Sequence, residues 1–193
     1  MTADVVVLES HRELRPARGG GDETVVADRV EAALRASSSD LLGYLLRRTD
    51  RDDAPDVLSE VFVTVWRRRD VVPEDPTRAR MWLFGVARRT LANHRRSRSR
   101  ASALTERLQT ALTDALPALR EAGFPGSESG ERAREVRAAV QALPPRQREL
   151  VALVHWDGFS LTEAAEIAGI RASTARSHYA RARERLAELL AAS

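Results

Sequence analysis

Apolar residues in this chain recur at three- and four-residue intervals, and no stretch alternates apolar and polar positions in the manner of a strand. In residues 53–69, Val57, Leu58, Val61, Phe62, Val65 and Trp66 form a stripe that predicts a buried helix face, while Asp56, Ser59, Glu60 and Arg67 face away from it. In residues 77–98, Leu83, Val86, Ala87, Thr90 and His94 share the face expected to meet the core. Trp82, Arg89, Asn93 and Arg96 align on another, about 110° around the axis. Near the end of the chain, Ala175, Tyr179, Ala182, Leu186 and Leu189 make a packing face. Ser173, Arg176, Ser177, Ala180 and Arg181 stand roughly opposite. Similar periodicity predicts helices at 24–36, 40–49, 131–142, 145–156 and 160–168.

Breakers divide these helices into groups. Pro16 and Gly19, Gly20 and Gly21 predict a disordered extension over residues 1–23. The helices from 24 to 100 form a first domain. A linker over 101–130 follows, with a helix reaching about Pro117 and a breaker run from Gly123 to Ser127. Residues 131–193 form a second domain, punctuated by Pro144-Pro145 and by Asp157-Gly158. The expected fold is therefore all-α, with two small helical domains joined by a flexible linker.

The second domain carries the sharpest local signal. Ser160-Leu161-Thr162-Glu163 reads as a capping box, with Gly169 placed to end the short helix in a left-handed conformation. Ser173 can cap the next helix. A short helix, a glycine turn and a second helix make the helix-turn-helix pattern.

Charge bears on what these helices touch. The net charge of +3 is small, but its distribution is uneven. Residues 77–100 hold eight Arg and no acid, and 171–185 hold five Arg with Glu184 as the one acid. Residues 40–75, by contrast, are richer in acids than in bases. Two basic stretches suggest two nucleic-acid contacts. Every basic residue is Arg, as a GC-rich genome would produce, and Arg also suits phosphate and guanine geometry. On the last helix Arg176 is the first candidate for a base contact. Arg171 and Arg181 are candidates for bases or phosphates, and His178 for a structural or phosphate role. On residues 77–98, an aromatic, two Arg and an Asn in one row can stack and neutralise single-stranded DNA. The pattern alone leaves open that Trp82 packs under the preceding loop and that both basic faces are merely solvated.

Cysteine is absent, which excludes disulfides and thiolate chemistry. No run is long enough for a membrane span and no signal peptide is evident, so a cytoplasmic protein without membrane insertion is expected. His11, His94, His155 and His178 show no metal-ligand spacing, and no nucleophile motif stands out. The expectation is a protein that is not an enzyme and needs no cofactor or metal. A dimeric helix-turn-helix regulator with a sensory first half is the main competing reading; the Arg-only stretch at 77–100 weighs against it.

Several segments together resemble extracytoplasmic-function sigma factors over roughly residues 25–190. Residues 53–62, DAPDVLSEVF, with Trp66 resemble the polymerase-docking helix of sigma region 2. Residues 81–89, MWLFGVARR, through Arg96 resemble its −10-reading helix. Residues 143–149, LPPRQRE, with 173–177 and 181–183 resemble sigma region 4. The resemblance implies that Asp56, Glu60 and Arg67 bind polymerase, on the clamp of the largest subunit, with region 4 at the flap of the second-largest. It implies that Arg78, Arg80, Trp82, Arg88, Arg89, Asn93 and Arg96 handle the −10 element. Arg171, Ser173, Thr174, Arg176, Ser177, His178, Arg181 and Arg183 would handle the −35 element. Core RNA polymerase, promoter DNA and an anti-sigma factor are the implied partners. The chain departs from the family pattern at Ser59, usually Gln, at Arg89, commonly Asn, and at His178, often Arg.

Overall fold

A computed structural model describes residues 22–110 and 130–191, with side chains for 23–100, 130 and 132–191. The expectations for residues 1–21, for the region around Pro117 and for the breaker run 123–127 lie outside the described residues. Those described are all helical apart from turns: α1 (Asp22–Leu46), α2 (Ala54–Arg67), α3 (Pro76–Thr110), α4 (Glu131–Gln141), α5 (Pro145–His155), α6 (Leu161–Ala168) and α7 (Ala172–Ala191). A 3₁₀ turn, Arg69–Val71, connects α2 towards α3.

Helices α1, α2 and α3 pack against one another as the first domain. Val30, Leu41, Tyr44 and Leu45 of α1 meet Val57, Val61 and Val65 of α2 and Leu83, Phe84, Val86 and Ala87 of α3, all buried. Two expectations are corrected here. The predicted break between 24–36 and 40–49 does not occur, and α1 runs through Ser37, Ser38 and Ser39. Ser37 is buried, and the Ser38 hydroxyl donates to the Arg35 carbonyl, so a hydroxyl is satisfied without leaving the helix. Helix α3 runs to Thr110, past the predicted end near 98. Its start is a capping arrangement that the sequence reading passed over. Pro76 opens the helix, and the Asp75 carboxylate accepts from the Arg78 backbone N–H at 2.8 Å.

The stripe on α2 is narrower than predicted. Val57, Val61 and Val65 are buried, but Trp66 is 48% exposed. At 100° per residue Trp66 lies about 120° from Ala54, which points straight into the core, so it falls beyond the buried edge.

In the second domain, α7 packs against α4, α5 and α6. Ala175 and Ala182 are fully buried, which lets the α7 backbone lie close to its neighbours, with Tyr179 and Leu186 filling the flanks. The two domains also meet directly, through α3 against α6. Phe84 stacks edge-on with Tyr44 at 5.3 Å within the first domain and with Phe159 of the second at 4.8 Å. One apolar cluster therefore runs across both.

Candidate nucleic-acid interface

The α6–α7 unit is built by its caps. The Ser160 hydroxyl accepts from the Glu163 backbone N–H at 3.3 Å, and Glu163 Oε2 accepts from the Ser160 N–H at 2.7 Å. These reciprocal bonds hold the Glu163 carboxyl below the usual carboxylate range, the Ser160 hydroxyl bond contributing most. At the other end Gly169 has φ +67°, a left-handed conformation costly for any residue with a Cβ. The Ile170 N–H reaches back to the Ala165 carbonyl at 3.0 Å and closes the turn. The angle between α6 and α7 is thus set by residues the sequence singled out.

Of the predicted −35 residues, Arg171 just before α7 and Ser173, Thr174, Arg176, Ser177, Arg181 and Arg183 on it are all exposed, and His178 is half-buried. His178 presents a buried Nδ1 without a hydrogen-bond partner, in keeping with its place at the edge of the packing face. One detail is corrected. Helix α7 begins at Ala172, and the Arg171 carbonyl accepts the first helical bond, from Ala175. Ser173 therefore stands inside the first turn instead of capping it, and its carbonyl accepts from the Ser177 hydroxyl. His155 Nε2 lies 2.8 Å from the Tyr179 hydroxyl with the rings stacked, which fixes α7 against the end of α5.

On α2, Asp56, Glu60 and Arg67 are exposed and form no ion pair with any described residue. Val63, 49% exposed, lies on the same stripe, within about 60° of all three at 100° per residue. Periodicity had shown the acids but not this apolar residue among them. The surface is acidic with an apolar centre, suited to a basic polypeptide.

The predicted −10 residues of α3 divide. Arg78, Arg89, Asn93 and Arg96 are exposed, with Arg96 Nη2 donating to Asn93 Oδ1 at 2.6 Å. Trp82 is half-buried and packs on the core. Arg80 and Arg88 instead face the second domain. Arg80 bonds the Asp40 carboxylate at 3.0 Å and the Asp157 carbonyl at 2.7 Å, and lies 4.3 Å from the Phe159 ring centre. Arg88 Nε donates to Glu149 Oε1 at 2.7 Å. His94, read as a packed residue, has Nε2 3.4 Å from the Asp53 carboxylate, which Arg98 also engages.

The residue that organises this seam is Asp157, which the sequence marked only as part of a turn. Its side chain is buried and accepts from Arg47 and Arg48, in the turn that follows α1. Gly158, at φ +72°, turns the chain there so that Phe159 enters the seam while Asp157 faces the turn after α1. Two cations around one buried carboxylate satisfy the geometry that a buried charge requires. No sequence pattern pairs residues more than a hundred positions apart.

Fold and caps together define a helix-turn-helix DNA-binding protein of two helical domains. The family model for Sigma-70 region 2 matches residues 34–101, and that for Sigma-70, region 4 matches residues 133–186. The probable RNA polymerase sigma-C factor of Mycobacterium bovis is 31% identical over 160 residues, spanning 81% of this chain and 80% of its own. The ECF RNA polymerase sigma factor EcfG of Rhodopseudomonas palustris is 34% identical over 109 residues, 56% of each chain. Among solved structures, the sigma factor RpoE of Bartonella quintana, in complex with the anti-sigma factor NepR, has a TM-score of 0.59 at 23% identity. It covers 86% of this chain and 97% of that one. CnrH, in complex with the cytosolic domain of CnrY, gives 0.58 at 21% identity, covering 89% and 98%.

The chain belongs to the extracytoplasmic-function sigma factors. It is a promoter-specificity subunit that works with RNA polymerase on promoter DNA. Among the described residues, no helix is long and apolar enough to cross a membrane.

Proposed function

We propose that α7 enters the major groove of the −35 element, with Arg176 reading a base edge and Arg171, Arg181 and Arg183 holding bases or phosphates. The observation that carries this is the exposed Arg face of α7, backed by buried alanines and fixed by the caps of α6. The α2 face of Asp56, Glu60, Val63 and Arg67 docks on the clamp of the largest polymerase subunit, and the second domain sits on the flap of the second-largest. Residues 24–100 act as the docking and −10 domain, 131–193 as the −35 domain, and 101–130 connects them. Arg78, Arg89, Asn93 and Arg96 receive the melted −10 strand. Trp82, Arg80 and Arg88 join them once the domains part, because Arg80 and Arg88 are otherwise held by Asp157, Asp40 and Glu149. The protein acts in the cytoplasm, where polymerase and promoter are. An anti-sigma factor is a further partner, since both solved relatives named above were captured with a second polypeptide, one of them NepR, called an anti-sigma factor.

The test is capture of bacterial core RNA polymerase by this protein, wild type beside Asp56→Arg/Glu60→Arg. Saturable capture that the double variant loses supports docking through α2. Equal capture by both would remove α2 from the docking surface.

A further inference from the structure

Between the domains lies a cleft of about 420 Å³, within the range of small-molecule sites. Its first-domain wall carries Arg47, Arg48, Arg88 and Arg95; its second-domain wall carries Arg137, Arg146 and Arg148. Two carboxylates pair with three of these guanidiniums: Glu149 in the wall and, outside the lining, Asp157. Glu149 is taken by Arg88, and Asp157 by Arg47 and Arg48. No carboxylate among the described residues pairs with Arg95, Arg146 or Arg148. Arg95 donates to the Arg48 carbonyl, and Arg148 donates to the Gln141 carbonyl and its side-chain oxygen, at 3.1 and 2.6 Å. Partial desolvation lowers the Arg95 pKa, Tyr44 opposes this, and the charges of Arg48 and Arg148 add to it. Closing the domains thus gathers like charges in a confined space, with Arg95, Arg146 and Arg148 meeting no carboxylate among the described residues. An anion of several charges, small enough for the cleft, would offset that repulsion. Arg forks supply planar, bidentate hydrogen bonds to phosphate oxygens. At the rim Trp156, 43% exposed, offers an aromatic face on which a base can stack.

We infer that this cleft binds an oligophosphate, either inorganic or carried by a nucleoside, through arginines of both domains, and that the bound anion holds the domains closed. The ligand binds the closed form alone, because only there do Arg95 and Arg148 line one cavity. By linkage it opposes whatever needs the domains apart. That consequence rests on the proposed opening on polymerase; binding itself does not.

Isothermal titration of the full chain at physiological salt, with sodium tripolyphosphate in one arm and ATP in another, tests the site. Expected are one anion per chain, a raised melting temperature, and at least tenfold weaker binding in Arg95→Gln and in Arg148→Gln. Arg68→Gln/Arg185→Gln, exposed cations outside the cleft, should bind as wild type. Circular dichroism confirms folding, and either single variant suffices if the other is unfolded. Tighter binding of ATP than of tripolyphosphate marks a nucleoside ligand stacked on Trp156, and the reverse marks an inorganic one. Absence of saturation at millimolar concentrations overturns the inference. So does equal loss in the surface variant, or binding of an oligo-glutamate peptide in place of both phosphates. In the polymerase capture assay, tripolyphosphate should reduce recovery of wild type but not of Arg95→Gln. If wild type is not captured even without phosphate, the docking proposal fails while the titration still judges the site.

Discussion

Single side chains carry the sharpest tests. Ser160→Ala removes a cap that satisfies a backbone N–H at the start of α6, and should cost about 0.5–2 kcal/mol in denaturant unfolding. Because the Glu163 carboxyl is held below its ordinary pKa, its contribution is present above the unfolded-state pKa. It is lost as pH falls through the lower folded value. The acid limb of the stability curve should therefore be shallower in Ser160→Ala than in wild type. At the reading face, Arg176→Ala should cost polymerase-bound protein about 1–3 kcal/mol at one −35 position. Binding measured across single-base variants of the promoter checks this, and a uniform loss over all sequences would make Arg176 a phosphate contact. These residues were legible in the chain, because capping boxes and helix faces are local patterns. Ser173 was misjudged as a cap since Arg171, which stands at the cap position before Ala172, carries no capping side chain to mark the true start.

At the scale of elements, α7 depends on how closely it can approach α5 and α6. Ala175 and Ala182 are fully buried, so a larger side chain has nowhere to go. Ala182→Leu should destabilise the second domain by about 1–3 kcal/mol through overpacking, measured by thermal or denaturant unfolding. It should also weaken −35 binding, because the helix must shift outward to admit it. Helix α2 shows the limit of periodicity. The buried positions Val57, Val61 and Val65 followed the pattern, but Trp66 did not, since the width of a buried stripe is set by the neighbouring helices and not by the helix itself. The unbroken α1 has the same origin: three serines weaken a helix intrinsically, and packing of Leu41, Tyr44 and Leu45 overrides that preference.

For the whole molecule, the decisive feature is the seam between the domains. Asp157→Ala leaves Arg47 and Arg48 without their acid, so the closed form should lose stability and the radius of gyration in small-angle scattering should rise. Promoter complexes with polymerase should form faster, because Arg80 and Arg88 are released sooner. Tyr44 reports on the same seam. Burial pushes its hydroxyl up to about 12, with Arg48 opposing and Glu149 and Asp157 of the second domain adding to the rise. The neutral phenol therefore contributes stability that is whole below the ordinary value of 10.0 and disappears as pH climbs towards 12. Ultraviolet difference titration should show one late-ionising tyrosine, and Asp157→Ala should bring it earlier. The helical class, the two-domain order, the helix-turn-helix and the charged faces follow from the chain's local patterns, because each depends on residues a few positions apart. Long-range packing alone turns Arg80 and Arg88 inward, brings Arg47 and Arg48 onto Asp157, and sets seven arginines around one cleft. Those contacts join residues far apart in the chain, and nothing but the packing of one domain on the other brings them together.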